Sequence, residues 1–385
     1  MRILLCTKNF DDGGVTRAFI ELIKYLKKNS MEYDILVETD DGIYKKYFQD
    51  EPVQVIKFKK AIYFRLINAS SHHSELTPFE RILLKLNIIS NKILKRNIIY
   101  RAATKNALRN KQNYDVILDF HGYGYFLTYY ITHVFKDSRK YSWVHDERIH
   151  TLKYIIPELK KYNAVCCVSN SCKQNLINEY NTLTNSIVIH NIIDINDICL
   201  RADFEIEDYK TRTIVSVGRL EKQKGFEIIP KIAKKLKKKG IDFKWLIIGE
   251  GSVRDVLQYE IDDADVSEEV KLLGFKNNPL PYIKNAYIYV QPSLHEGFPT
   301  TISEAIVLKK VVVATNIPSM TEAFQGINED LLIQRDVDKF TNQLEKLMCD
   351  KDYYNLHLNE VLSGRINDFS NEVGELIVNG ETKHE

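Results

Sequence analysis

The chain has 385 residues, a formal net charge of +2, and neither a proline-rich nor a glycine-rich bias. That length suffices for two cores of typical domain size, and the near-neutral charge excludes a global field that would require a polyanionic partner. Six cysteines (Cys6, Cys166, Cys167, Cys172, Cys199 and Cys349) lack Cys-x2-Cys ligand spacing and fall mostly in apolar runs, which reads as reduced intracellular thiols.

The opening segment Arg2-Ile3-Leu4-Leu5-Cys6 is a short apolar strand, too brief for the core of a signal peptide. Gly13-Gly14 follows as a turn, and Val15 to Lys28 carries apolar residues at helical spacing, so the unit reads strand, glycine loop, helix. Further strands are expected at Tyr33–Val37, Val53–Ile56, Tyr114–Leu118 and Ala164–Val168, separated by helical stretches. Strands alternating with helices imply a parallel sheet covered on both faces. After the polar stretch Ala202–Arg212 the pattern restarts, with strands expected at Thr213–Gly218, Lys244–Gly249, Ala286–Val290 and Val311–Thr315. Two halves of nucleotide-fold type are the expectation, and the charged segment from Lys351 onward is read as helical. No apolar stretch approaches the roughly 20 residues that span a bilayer, which predicts a soluble or peripheral cytoplasmic protein.

Two strand-to-helix turns carry the chemistry. In His295-Glu296-Gly297-Phe298-Pro299-Thr300-Thr301-Ile302-Ser303-Glu304, the amides at the helix start can hold hydroxyl and phosphate oxygens. Glu304 could accept from both hydroxyls of a ribose, and Glu296 would face a sugar. The competing reading is a capping box, Thr301-x-x-Glu304, in which Glu304 only bonds the backbone of the cap. The second turn, Val217-Gly218-Arg219-Leu220-Glu221-Lys222-Gln223-Lys224-Gly225, places two cations where a diphosphate leaving group gains charge. Arg offers a planar fork and Lys a point charge, so Arg219 and Lys224 complement each other and could stand in for a metal. A solvated basic loop is the alternative for that pair.

Taken together, GR-L-x3-KG, then LLG-F, then PS-x2-EGFP-x4-EA resembles the second-domain signature of retaining GT-B glycosyltransferases of the Glu-x7-Glu family, the family 4-like, group 1 enzymes. The resemblance covers roughly Thr213 to Thr315. It implies an α/β GT-B fold: two Rossmann-like, doubly wound parallel-sheet domains facing an interdomain cleft, with an acceptor-binding domain over 1–205, a nucleotide-sugar domain over 206–350, and a helical segment 351–385 returning to the first domain. It implies that Gly218, Arg219 and Lys224 hold the donor phosphates, Glu304 the ribose, and Glu296, Gly297, Phe298, Pro299 and Thr300 the transferred sugar, with Leu273, Gly274 and Phe275 beside the base. Gly13 and Gly14 match the family's glycine loop near the donor. Trp143-Val144-His145-Asp146 resembles its histidine segment, which makes His145 a catalytic candidate, with His121 as its competitor. Val168-Ser169-Asn170-Ser171 and His190-Asn191-Ile192-Ile193-Asp194 fall on landmarks that shape the cleft. Leu308-Lys309-Lys310 departs from the usual glycine turn, and Asn316-Ile317-Pro318-Ser319 from a glycine-rich loop, so donor identity transfers less securely.

The implied activity is hexosyl transfer from a nucleotide diphosphate-sugar, UDP favoured over GDP, to a glycan or polyprenyl-linked acceptor during bacterial capsule, O-antigen or lipopolysaccharide assembly. Departure and attack would share one face of the sugar, with no metal or other cofactor required. The acidic pair Asp336-Val337-Asp338 reads as a helix cap and Asp263-Ala264-Asp265 follows no apolar strand, so neither suggests a metal site. Residues 78–112 hold one acidic residue among many Lys and Arg, interleaved with aliphatics at helical spacing, which suits either anionic lipid or packing against the first sheet. Nucleic acid is not an expected partner, because the basic residues interleave with aliphatic side chains rather than stacking aromatics and no binding module is recognised. The rival functions are another GT-B enzyme, such as a phosphorylase or nucleotide-sugar epimerase, and a noncatalytic basic membrane-binding protein.

Overall fold

The computed structural model describes the chain through Gly380, except for residue 12, residues 69–75, 95–96, 109–111, 122–125, 147–148, 150–151, 154, 205 and 207–211, and the side chains of 88–94. Gly122 and Tyr123 of the His121 segment, parts of the 78–112 stretch and most of the polar stretch before Arg212 lie outside the described residues.

The chain divides into two compact units. Among the described residues, the first holds a seven-stranded sheet made of β1 (Arg2–Thr7), β2 (Glu32–Val37), β3 (Val53–Val55), β4 (Val116–Asp119), β5 (Arg139–Val144), β6 (Ala164–Cys167) and β7 (Ser186–Val188), ordered β3-β2-β1-β4-β5-β6-β7. The second holds six strands, β8 (Thr213–Val217), β9 (Lys244–Ile248), β10 (Val270–Leu272), β11 (Ile288–Gln291), β12 (Val311–Thr315) and β13 (Leu332–Ile333), ordered β10-β9-β8-β11-β12-β13. Every pairing is parallel. Each unit is a doubly wound Rossmann-like sheet, as expected. The strand order reverses between β1 and β4 in one and between β8 and β11 in the other, and ligands bind such sheets beyond the strand ends at that reversal.

The central strands are nearly wholly apolar because helices cover both faces; β12, Val-Val-Val-Ala-Thr, is buried throughout. Four strands were not anticipated. Three of them, β7, β10 and β13, are edge strands of two or three residues. The fourth, β5, lies inside the sheet but begins Arg-Lys-Tyr-Ser, and its Lys140 stays tolerable by turning Nζ to the carbonyls of Lys136 (3.1 Å) and Ser138 (2.5 Å). Gly13 and Gly14 are the first residues of the helix Gly13–Lys28 rather than a separate loop.

The unit boundaries also differ from those expected. The second unit takes 169–171 and 190–370, and the first takes the rest, including the chain from Asn371. The helix Ile195–Ala202 belongs to the second unit because it packs on the helices Leu280–Asn285 and Thr300–Val307, and Asn278 Nδ2 donates to the Arg201 carbonyl at 2.6 Å. The helix Lys351–Ser363 stays there too: Tyr354 stacks on Tyr287 at 4.1 Å, and its hydroxyl donates to the Tyr287 carbonyl at 3.0 Å. Only the helix Ser370–Asn379 joins the first unit, where the Ile377 carbonyl accepts from Arg139 Nη2 at 2.8 Å.

At the strand ends of the first unit sit two buried carboxylates. Burial pushes Glu38 up to about 7, against the Leu127 N–H that donates to it and the nearby Lys8 charge. Burial likewise pushes Asp119 up to about 6, although the hydroxyls of Thr128 (2.7 Å) and Tyr162 (2.9 Å) donate to it. Both groups are more basic folded than unfolded, so the stability they contribute is present at low pH and declines as pH rises from the ordinary carboxylate range through about 7. Glu38→Gln keeps an acceptor for Leu127 and should raise Tm at pH 8 by more than at pH 5. Thermal melts across that range check this, and a difference independent of pH would refute the assignment.

Candidate functional site

The second unit's reversal point is where its two signature turns meet. The turn after β8 runs through Gly218 and Arg219 into the 3-10 turn Lys222–Lys224, and Gly225 then takes a left-handed conformation at φ 67°. A side chain at Gly225 would strike the Pro292 carbonyl at 2.1 Å, so glycine is required for the two turns to touch. They are joined by the Leu294 N–H to the Gln223 carbonyl (2.8 Å) and by Gln223 Nε2 to the His295 carbonyl (3.1 Å). Arg335 clasps both, with Nε on the Pro292 carbonyl (3.1 Å), Nη2 on the Gly225 carbonyl (3.3 Å), and an ion pair to Glu227.

At the centre of this junction Lys224 Nζ lies 2.7 Å from Glu296 Oε1, with side chains only 15% and 7% exposed. The stem of Lys224 folds over Gly218, where a Cβ would stand 3.2 Å from its Cδ and Cε. Glu296 is fixed from the other side by a buried relay. Tyr289 OH donates to Gln291 Oε1 (2.9 Å), Gln291 Nε2 to Ser293 Oγ (2.9 Å), and Ser293 Oγ to Glu296 Oε1 (2.6 Å). Gln291 and Arg335 are not among the expected site residues, and Ser293 enters only as part of the PS-x2-EGFP signature. Polar residues at every second position of a buried strand, Tyr289, Gln291 and Ser293, were the available signal for Gln291 and Ser293.

Arg219, by contrast, is exposed beside this pair on the same turn. The β9 and β10 turns pack alongside: Gly218 N–H donates to the Ile248 carbonyl (3.0 Å), and Gly249 N–H to the Gly274 carbonyl (2.9 Å). Leu273 and Gly274 are half-buried there, and Phe275 is 45% exposed. Beyond β11, Gly297, Phe298 and Pro299 are buried and Thr300 opens the helix Thr300–Val307. That helix is capped by Pro299 without a side-chain bond, so the alternative capping box of Thr301 and Glu304 does not form, and Glu304 sits half-buried on the second turn. The Phe298 ring makes edge contacts to His190 (5.5 Å) and Phe369 (5.9 Å).

Glu322, also unanticipated, gathers the landmark segments. It accepts from the N–H groups of Asn170 (2.7 Å) and Ser171 (3.1 Å) and faces His190 Nε2 at 3.3 Å. Burial pushes its pKa up, but His190 and the two amides outweigh that and hold the carboxyl below the usual carboxylate range. Lys309, in the turn that departs from the family pattern, adopts a left-handed φ of 58° and spends its ammonium on the carbonyls of Val361 (3.0 Å) and Gly364 (3.3 Å). Asp336 caps the helix Val337–Cys349 through the amides of Asp338 and Lys339, as read from sequence.

In the first unit, Gly13-Gly14 follows β1, which pairs with β4 at the reversal point. A Cβ at Gly14 would meet no atom within 4 Å, so the protein's own packing does not require glycine there. His121 is buried after β4 and His145 half-buried after the neighbouring β5; His145 Nε2 lies 2.7 Å from the Phe120 carbonyl and must carry the proton that bond needs.

Residues 201–359 match the model of a family described as Glycosyl transferases group 1. That stretch is similar to group 1 glycosyltransferases. The chain is 33% identical over 168 residues to the N-acetylgalactosamine-N,N'-diacetylbacillosaminyl-diphospho-undecaprenol 4-alpha-N-acetylgalactosaminyltransferase of Campylobacter jejuni, covering 43% of this chain and 44% of that one. It is 26% identical over 198 residues to the poly(ribitol-phosphate) alpha-N-acetylglucosaminyltransferase of Staphylococcus aureus, covering 47% and 38%. The chain thus spans less than half the length of these curated relatives. Among solved structures, Anabaena HepE in complex with UDP and glucose superposes with a TM-score of 0.71 at 15% identity, over 98% of this chain and 100% of that one. A Staphylococcus aureus TarM mutant with Fondaparinux, alpha-GlcNAc-glycerol and UDP gives 0.69 at 15% identity, over 98% and 99%. At that identity the likeness establishes the fold, GT-B.

Within residues 201–359 the Lys224–Glu296 pair is an element whose removal is costly. Deleting one member of a buried pair leaves an uncompensated charge at a cost of about 3–5 kcal/mol. Lys224→Met should therefore destabilise the protein by an amount in that range, and Lys224→Met/Glu296→Gln by less than the two single changes added. Urea denaturation of the four proteins checks the coupling; strictly additive losses would rule it out.

Proposed function

We propose that the protein is a retaining glycosyltransferase that moves a sugar from a UDP-sugar to a glycan or polyprenyl-linked acceptor in bacterial surface polysaccharide assembly. The observation that carries this reading is the buried Lys224–Glu296 pair at the reversal point of a stretch similar to group 1 glycosyltransferases, with Arg219 exposed on the same turn. UDP is favoured because the structurally similar HepE and TarM were solved with it, and a carrier-linked acceptor because the Campylobacter relative is named for a diphospho-undecaprenol substrate.

In this mechanism Arg219 and Lys224 take the donor diphosphate, and the charge that develops on it as the sugar bond breaks is met by cations already in place. Glu296 Oε1 is engaged by both Lys224 and Ser293, which suits orientation of the sugar and argues against a covalent sugar intermediate on that carboxylate. Departure and attack then share one face, and the phosphate takes the proton of the acceptor. Glu304 holds the ribose, Leu273, Gly274 and Phe275 border the base, and Gly13, Gly14 and His145 are assigned to the sugar and acceptor. The two cations replace a divalent ion. Free cysteines, all six of them, accord with a reducing, cytoplasmic setting.

Arg219→Ala removes charge-assisted contacts of about 1.5–3 kcal/mol and should lower kcat/KM with a UDP-sugar by about tenfold to a hundredfold, without loss of Tm. The product should keep the anomeric configuration of the donor by NMR, and chelator should leave the rate unchanged. An unaltered kcat/KM, an inverted product, or manganese-dependent recovery after chelation would each overturn the corresponding part.

Contact with an anionic membrane has its own observation. On the helix Pro78–Leu94, Phe79, Ile82 and Leu86 are 62%, 55% and 49% exposed at helical spacing, and Arg81 and Lys85 are exposed among them. Such a stripe can enter a headgroup layer flanked by its cations; among the described residues, no helix is long and apolar enough to cross a membrane. The protein should sediment with vesicles rich in phosphatidylglycerol and not with neutral ones, and Phe79→Ser/Ile82→Ser should reduce that binding severalfold. Equal sedimentation of the variant would reject the surface.

A further inference from the structure

Among the described residues, Asp330, His357 and Glu360 each bring one potential ligand atom within 4.8 Å of the others. None belongs to the turns after β8 and β11. His357 and Glu360 are three positions apart on the helix Lys351–Ser363, which places them on one face. Asp330 comes from the 3-10 turn Glu329–Leu331 that leads into β13.

Asn328 organises the group. It holds a left-handed backbone at φ 57°, its N–H donates to Glu360 Oε1 (2.8 Å), and its Nδ2 donates to the His357 carbonyl (3.2 Å). Because Nδ2 is committed to that carbonyl, it is the amide oxygen that faces His357 Nδ1, at 3.2 Å. Nδ1 therefore carries the ring proton, and in the neutral imidazole Nε2 presents a lone pair. His357 is 1% exposed, Nε2 has no hydrogen-bond partner, and it points at Asp330 Oδ2 from 3.5 Å.

A buried lone pair aimed at a carboxylate requires a positive charge between them. A proton there would form a charge-assisted bond of about 2.7–2.9 Å. The observed 3.5 Å is longer, and close to the separation of about 3.3 Å between neighbouring ligand atoms around a tetrahedral ion with bonds of about 2.0–2.1 Å. Glu360 offers the third bond through a carboxylate oxygen within 4.8 Å of the other two ligand atoms. Asn328 also supplies what metal-bound histidines usually have, a hydrogen bond that fixes the tautomer from the far side of the ring.

We propose that Asp330, His357 and Glu360 form a divalent metal site of the zinc class, completed by water, which fastens the helix Lys351–Ser363 to the turn entering β13. One imidazole with two carboxylates suits zinc or cobalt, whereas magnesium and calcium prefer all-oxygen shells. The site is structural and independent of whether sugar transfer needs a metal.

The test uses the full-length, untagged chain stripped with chelator, then titrated with zinc by calorimetry and with cobalt by visible absorption. One ion per chain should bind, Tm should rise with free zinc, and magnesium should do neither. Asp330→Asn and Glu360→Gln alter exposed groups and should fold normally, as circular dichroism would confirm, while weakening zinc binding at least about tenfold. His357→Gln should abolish it. Absence of saturable binding at one ion per chain would overturn the proposal, as would zinc binding unchanged in Asp330→Asn and Glu360→Gln. A Tm that responds to pH between 7 and 5.5 but not to zinc would instead assign the charge to a proton.

Discussion

An ammonium and a carboxylate removed from water must find each other, and in the second unit that requirement fixes how two separate turns meet. Lys224 and Glu296 are 72 residues apart in sequence and 2.7 Å apart in space. The surroundings make the meeting possible rather than merely permitting it. Gly218 leaves room for the lysine stem, Gly225 lets the backbone close on Pro292, and Arg335 ties both turns to a third. The relay from Tyr289 through Gln291 and Ser293 then holds the carboxylate at one angle, so the pair cannot rotate without breaking several buried hydrogen bonds.

The first unit solves a similar problem differently. Its strand ends bury Glu38, with the Lys8 charge nearby, and Asp119, and burial is answered by hydroxyl and amide donors together with raised pKa values. One reversal point carries an ion pair, and the other carries carboxyls whose pKa values are raised.

Departures from the family pattern can be read in the same terms. Lys309 stands where a glycine turn was expected, yet it takes the left-handed conformation glycine would adopt, with the strain offset by its ammonium on two carbonyls at the end of a neighbouring helix. Phe298 keeps its place in the motif, but its ring is held by His190 and Phe369. A matching residue type thus does not by itself tell whether side chain or backbone faces a ligand.

Strand-to-helix alternation, the apolar runs of the central strands and the spacing of the second-unit signature were legible in the amino-acid sequence, because a strand buried on both faces has to be apolar and a helix start has to follow a turn. So was the cap at Asp336, which depends on neighbours two and three residues away. Edge strands β7, β10 and β13 were not, since two or three residues carry no period, and β5 was hidden by its polar residues, of which Lys140 turns its ammonium to two carbonyls. The sequence alone put Lys224 and Glu296 in the right turns but could not pair them, nor reveal Arg335, Glu322 or the Asp330–His357–Glu360 group. Those depend on contacts between residues far apart in the chain, and only the packed sheet, by choosing which strand ends become neighbours, brings such groups within bonding distance.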